Sequence, residues 1–142
     1  MTEDYSNGIF TDGGARGNPG RGGWGYVYVA NDEIIKEAWG GEDHTTNNRM
    51  ELMAIIEAIK AIGNEDTTLY SDSNLCVQTY NQWMAGWHAK GWKRKTGPIA
   101  NLELVKELFE LKKKCPKMKL KWVKAHNGNR WNEYVDGLAN KY

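Results

Sequence analysis

The sequence predicts an α/β fold, a mixed five-stranded sheet covered by helices, and two observations carry that prediction. Short β-prone runs and segments with apolar residues at helical spacing follow one another in the order β-β-β-α-β-α-α-β-α. The first three strands suit an antiparallel meander, whereas strands reached through helices need crossover connections and pair in parallel. Length and composition agree: 142 residues, 40% apolar and 26% charged, read as one domain over 1–142 that buries a core without staples.

The elements follow in order. Gly8 to Asp12 reads as a strand ending in the glycine-rich turn TDGGARGNPGRGG, whose glycines and Pro19 punctuate the chain. Trp24 to Ala30 and Glu33 to Trp39 flank the turn-forming pair Asn31-Asp32 and form a hairpin. Thr45, Thr46, Asn47 and Asn48 offer helix N-caps, and Leu52, Ile55, Ile56, Ile59 and Ile62 recur at helical spacing until Gly63. Thr67 to Ser71 is a short strand before Asp72. Asn74 to Trp87 reads as helix, whole or broken in the middle. Leu102, Val105, Leu108, Phe109 and Leu111 mark a further helix that ends near Cys115-Pro116, Lys119 to Val123 alternates like a strand, and a last helix starts near Trp131.

The two cysteines, Cys76 and Cys115, lack zinc or disulfide spacing, which points to a reducing compartment. No long apolar run and no signal-peptide core are present, so a cytoplasmic protein is expected. The net charge of +1 hides an asymmetry: residues 1–72 hold 13 acids against 5 bases, and residues 73–142 hold 5 acids against 14 bases. The second half can therefore turn a basic surface towards a polyanion, although about half of these lysines are read as ordinary solvated positions.

Asp12 and Asp72 are each expected at the C-terminal end of a strand, where open α/β sheets place their ligands. Glu51 lies one helical turn before Ile55 and shares its inward line, and Asp136 holds a comparable place on the last helix. Four acids on one partly buried edge would repel one another unless divalent cations compensate them. Oxygen ligands suit Mg²⁺ or Mn²⁺, and a pair of such ions serves phosphodiester cleavage. Each acid also has an ordinary reading: Glu51 against a helix dipole, Asp12 in an Asx-turn, Asp136 at the surface. Only their joint placement favours a metal site.

FTDGGARGNPG at 10–20, TTNNRMEL at 45–52, YSDSN at 70–74 and KAHNGNRWNEYVD at 124–136 together resemble type 1 ribonuclease H, in order and over essentially the whole chain. The resemblance implies the ribonuclease H fold. It also implies a two-metal endonuclease, with Mg²⁺ or Mn²⁺, that cuts the RNA strand of an RNA:DNA hybrid and leaves 5′-phosphate and 3′-hydroxyl ends. Asp12, Glu51, Asp72 and Asp136 match the family's metal-binding carboxylates, and His126 matches an auxiliary catalytic histidine. Read without the family, His126 is equally an ordinary surface imidazole.

The same resemblance assigns the reading of RNA 2′-hydroxyls to Asn18, Asn47, Asn48 and Asn74, with backbone groups beside Gly13. Asparagine amides donate and accept at once, as a 2′-hydroxyl requires, and Asn47 and Asn48 are read equally as helix caps. WMAGWHAKGWKRK at 83–95 resembles the family's basic protrusion. Lys90, Lys93, Arg94 and Lys95 then contact the DNA backbone, with Trp83 and Trp87 one turn apart; Trp83 is expected in the core and Trp92 against deoxyribose. Thr46 and Asn101 match a pocket for a DNA phosphate, whose third position is His44 here where some members have Arg. Ala125 stands where Gly is common before the histidine, and no extra hybrid-binding module precedes Tyr5, so the enzyme is expected to act alone as a monomer. A hybrid-binding domain without cleavage would have lost an acid, and a transposase or resolvase relative would lack TTNNRME and the tryptophan-rich segment.

Overall fold

The computed structural model describes residues 5–125 and 128–142. Five strands form one sheet in the order β3-β2-β1-β4-β5: β1 (Gly8–Ala15), β2 (Gly20–Ala30), β3 (Glu33–Thr45), β4 (Thr68–Ser71) and β5 (Lys119–Trp122). β1, β2 and β3 pair antiparallel, and β1, β4 and β5 pair in parallel, as the alternation of elements requires. The helices are α1 (Asn47–Ile62), α2 (Asn74–Gln78), a π-helical segment (Thr79–Trp83), α3 (Met84–Ala89), α4 (Leu102–Lys114) and α5 (Arg130–Ala139).

Alternation along the central strands distributes the core to both sheet faces. Ile9, Tyr26 and Leu69 pack with α1, α2 and α4 on one side, while their neighbours Phe10, Val27 and Tyr70 pack with Trp131, Val135 and Leu138 of α5 on the other. β3 is the exposed edge, and Ile34, Ile35 and Trp39 face solvent there. Both cysteines are buried free thiols. No described helix is long and apolar enough to cross a membrane.

The first three strands are longer than the sequence suggests. β1 continues through Asp12 to Ala15, β2 already begins at Gly20 and β3 runs on to Thr45, so most of the glycine-rich stretch is paired sheet and only residues 16–19 turn. The glycines there pack; they do not merely punctuate. A Cβ on Gly13 would collide with the main chain of Met50 and Glu51, and one on Gly23 or Gly41 would collide with α5, the C-terminal residues or the neighbouring strand. Bare backbone lets α1 and α5 settle directly on the sheet.

The hairpin at Asn31-Asp32 is as expected, with both residues at positive φ of 52° and 61°, the signature of a primed turn. The helix after Asp72 is indeed interrupted in its middle. The π turn keeps Met84 on the inner face after Tyr80 and rotates Trp83 outward.

Candidate active site

The parallel pairing of β1 with β4 ends at Thr11 and Ser71, and the next residue on each chain is an aspartate. Asp12 is therefore not at the end of its own strand, since it still pairs with Gly25 of β2; it stands where the β1–β4 ladder opens. Thr11 Oγ1 donates to the Tyr70 carbonyl at 3.2 Å, and Trp122 Nε1 donates to the Asp72 carbonyl at 3.2 Å, so both backbones are held at the opening. After Asp72, Ser73 caps α2 by accepting from the Cys76 amide, which turns the chain away and leaves the carboxylate at the crevice.

α1 delivers the third acid. Thr46 is its N-cap and accepts from the Arg49 amide, and Gly13 allows the helix to lie on the strand, so that Glu51 comes beside Asp12. Asp12, Glu51 and Asp72 each bring a carboxylate oxygen within 4.8 Å of the other two. Asp136 of α5, though outside that close trio, lines the same cavity of about 430 Å³.

Burial pushes the Asp12 carboxyl up to about 8, helped by contact with the Asp136 carboxyl and by the negative charges of Asp72 and Asp136. Burial likewise raises Glu51 well above its ordinary value, and the charges of Asp12 and Asp72 add to this. Glu51 Oε1 is buried with no hydrogen-bond partner. A buried, unsatisfied carboxylate oxygen among other acids is costly unless a cation meets it. The donor set is oxygen alone, without Cys or His, which fits a hard divalent ion.

The sequence reading missed part of the cavity wall. Asn132, Glu133 and Asn140 line it, and Asn132 is only 5% exposed. The signal was present, because Asn132 and Asn140 lie one helical turn either side of Asp136. Asn129 caps α5 by accepting from the Trp131 and Asn132 amides. His126 lies outside the described residues.

Two of the four asparagines expected at 2′-hydroxyls, Asn18 and Asn47, are joined by a clamp. Asn18 Oδ1 accepts from the Asn47 amide at 2.9 Å, and Asn47 Oδ1 accepts from the Ala15 amide at 2.7 Å, which ties the glycine turn to the start of α1. Asn48 Oδ1 accepts from the Cys76 thiol at 3.6 Å, and burial, which raises that thiol to about 12, keeps it a donor. Neither Asn47 nor Asn48 caps α1, since Thr46 does so, and the side-chain oxygens of both accept hydrogen bonds within the fold. Asn74 is exposed at the first turn of α2.

The phosphate-pocket candidates sit at the end of β3 and at two helix starts. His44 is exposed on β3, Thr46 caps α1, and Asn101 occupies the N-cap position of α4 in a left-handed conformation with φ of 55°. Arg49 joins these regions, pairing with Glu42 of β3 at 2.9 Å and Glu103 of α4 at 2.8 Å.

In the basic segment the tryptophans exchange their expected places. Trp83 is 39% exposed and lines an open groove with Trp87, Lys90, Lys93, Arg94 and Lys95. Trp92 is instead half-buried, edge-on to Phe109 at 5.5 Å. The π turn explains Trp83, and the positive φ of 64° at Trp92 folds its ring back onto α4. Arg94 is also less free than expected: its guanidinium donates to the Gly97 and Pro98 carbonyls and braces the loop.

Comparison with known proteins gives the same picture. The family model described as RNase H matches residues 5–142. A ribonuclease H of Campylobacter jejuni is 48% identical over 92% of this chain and 86% of its own length. The crystal structure of LC9-RNase H1, a type 1 RNase H with the type 2 active-site motif, superposes with a TM-score of 0.75 at 31% identity, over 97% of this chain and 72% of that one. LC11-RNase H1 in complex with an RNA/DNA hybrid superposes with a TM-score of 0.66 at 25% identity, over 94% of this chain and 96% of that one. Sheet order, the acids at the strand opening and these likenesses agree: the chain belongs to the type 1 ribonuclease H family.

Proposed function

We propose that this chain is an endoribonuclease that hydrolyses the RNA strand of RNA:DNA hybrids with the aid of two divalent ions, Mg²⁺ or Mn²⁺. The observation that carries the reading is the acid-lined cavity, one of whose lining residues, Glu51, has a buried and unsatisfied carboxylate oxygen. Asp12, Glu51, Asp72 and Asp136 would hold the ions. When bound, these supply Lewis acidity to the attacking and departing oxygens of the phosphodiester, which ends as 5′-phosphate and 3′-hydroxyl.

The protein's own groups orient the substrate. Asn18, Asn47, Asn48 and Asn74 present amides to successive 2′-hydroxyls, so that an all-DNA strand leaves several polar groups unsatisfied, at about 1 to 3 kcal/mol each. His126 assists turnover, through proton transfer or product release. His44, Thr46 and Asn101 receive a DNA phosphate, and Trp83 with Trp87, rather than Trp92, offers the open aromatic face to deoxyribose.

Labelled RNA:DNA, RNA:RNA and DNA:DNA duplexes, with Mg²⁺ and with chelator, test the activity. Cuts are expected only in the RNA of the hybrid and only with metal. In a DNA strand carrying a ribonucleotide patch, cuts are expected inside the patch when it spans about four sugars. Efficient cutting beside one embedded ribonucleotide would contradict the asparagine assignment.

The open groove supplies affinity without sequence reading. Replacing Lys90, Lys93 and Lys95 together by Gln is expected to raise KM and to flatten the slope of log K against log salt by up to about 2.7, at roughly 0.9 per phosphate contact. An unchanged slope would place these lysines outside the interface.

A further inference from the structure

A second, smaller cavity of about 140 Å³ adjoins the catalytic one, between the turn after β1 and the end of α5. The two share Gly14, Asn47, Ala139 and Asn140 in their walls and so lie side by side. Their charges are opposite. Five acids and no base line the catalytic cavity, whereas Arg16 and Arg21 and no acid line the small one. Two of the five bases in the acidic first half of the sequence thus stand at one spot beside the catalytic acids.

The two arginines differ in freedom. Arg21 is tethered: its Nε donates to the Tyr142 carbonyl at 2.8 Å, Nη1 pairs with Asp43 at 2.6 Å, and the guanidinium lies over the Tyr142 ring at 4.1 Å. It builds the wall, and Asp43 offsets its charge. Arg16 is exposed and forms no ion pair among the described residues; its side chain makes a single hydrogen bond, from Nη2 to the Asn140 carbonyl at 3.5 Å. That weak bond puts the guanidinium beside Asn140, which lines both cavities, and leaves most of its N–H groups unused.

The geometry points to a binding site for an RNA backbone phosphate at Arg16, next to the phosphate that is cut. The inference rests on the proposed hybrid cleavage. A nuclease whose acids attract cations also repels the polyanion it must hold, and an unpaired guanidinium at the cavity mouth offsets that repulsion for the adjoining phosphate. The strand concerned is RNA, because Asn47, assigned to a 2′-hydroxyl, lies in both walls.

The experiment uses hybrids with an intact DNA strand and RNA strands that end one to six nucleotides to either side of the cut, each with a terminal phosphate or a terminal hydroxyl. Wild type is expected to show KM lower by about fivefold at one RNA length, on one side, only when the terminal phosphate is present. Arg16→Gln loses that step and Arg16→Lys keeps most of it; on long hybrids Arg16→Gln also loses about 0.9 from the salt slope. No step at any length, or a step that survives Arg16→Gln, overturns the site. A mirror series with shortened DNA strands overturns the assignment to RNA if the Arg16-dependent step appears there instead. Wild type that cuts no hybrid in Mg²⁺ overturns the ribonuclease reading and this one together, whereas normal cutting without the step overturns this one alone.

Discussion

Asp12→Asn and Asp72→Asn are expected to fold and yet to lose about a thousandfold or more of hybrid cleavage, because a neutral amide cannot replace a carboxylate shared among dications. Single-turnover cleavage in Mg²⁺ measures this, and near-normal rates in either variant would sink the metal-site assignment. Asp12→Asn should also change stability, in the opposite sense. The folded-state carboxyl of Asp12 titrates at about 8 against an ordinary 3.8, so the folded protein holds that proton more tightly than the unfolded chain. Its contribution to stability is complete below pH 3.8 and is lost as pH rises towards 8. Glu51 acts in the same direction. In chelator, wild type should lose Tm between pH 5 and 8, and Asp12→Asn should lose less and melt higher at pH 8. Divalent cation should restore the wild type. A Tm in chelator that rises over this range equally in both proteins would contradict the burial argument.

Gly13→Ala should be nearly as damaging by a different route. An added Cβ meets the main chain of Met50 and Glu51, which no side-chain rotation relieves. Overpacking of this kind costs about 1 to 3 kcal/mol and sometimes more, and here it also pushes Glu51 away from Asp12. Gly137→Ala in α5 is the control, since nothing lies within 4 Å of its Cβ and alanine favours helix by about 1 kcal/mol. Thermal melts and cleavage rates of the two variants should diverge; equal behaviour would show that α1 does not depend on bare backbone at β1.

Periodicity made most of this architecture readable. Ile9 and Phe10 belong to opposite cores, as strand alternation demands, and Leu52, Ile55, Ile56 and Ile59 form the buried stripe of α1. Three features were not readable. The glycine-rich stretch looked like a turn because propensity records what glycine permits, whereas here close contact with α1 and α5 requires it. Trp83 was placed in the core because a π turn alters helical phase without any composition signal, and Trp92 was placed outside because its positive φ is equally unsignalled. Arg16 stood in a motif that drew attention to its glycines and asparagine, and its worth depends on a neighbouring cavity that only folding creates. The acids were legible as types and positions, but their close approach follows from the end of the β1–β4 ladder at Thr11 and Ser71.

Gly25 stands opposite Asp12 on β2, and a Cβ there would come within 2.8 Å of the Leu138 side chain. α5 therefore rides on the sheet at a height fixed by a missing methyl group, and Asp136 rides with it. A small side chain at this place would lift one wall of the cavity without touching any ligand. Mg²⁺ demands a narrow range of oxygen distances and Ca²⁺ accepts a wider and looser one. The spacing of the carboxylate-bearing walls can thus drift through positions that carry no carboxylate. In this fold, the distance between the carboxylate-bearing walls is a property of sheet thickness as well as of the carboxylates.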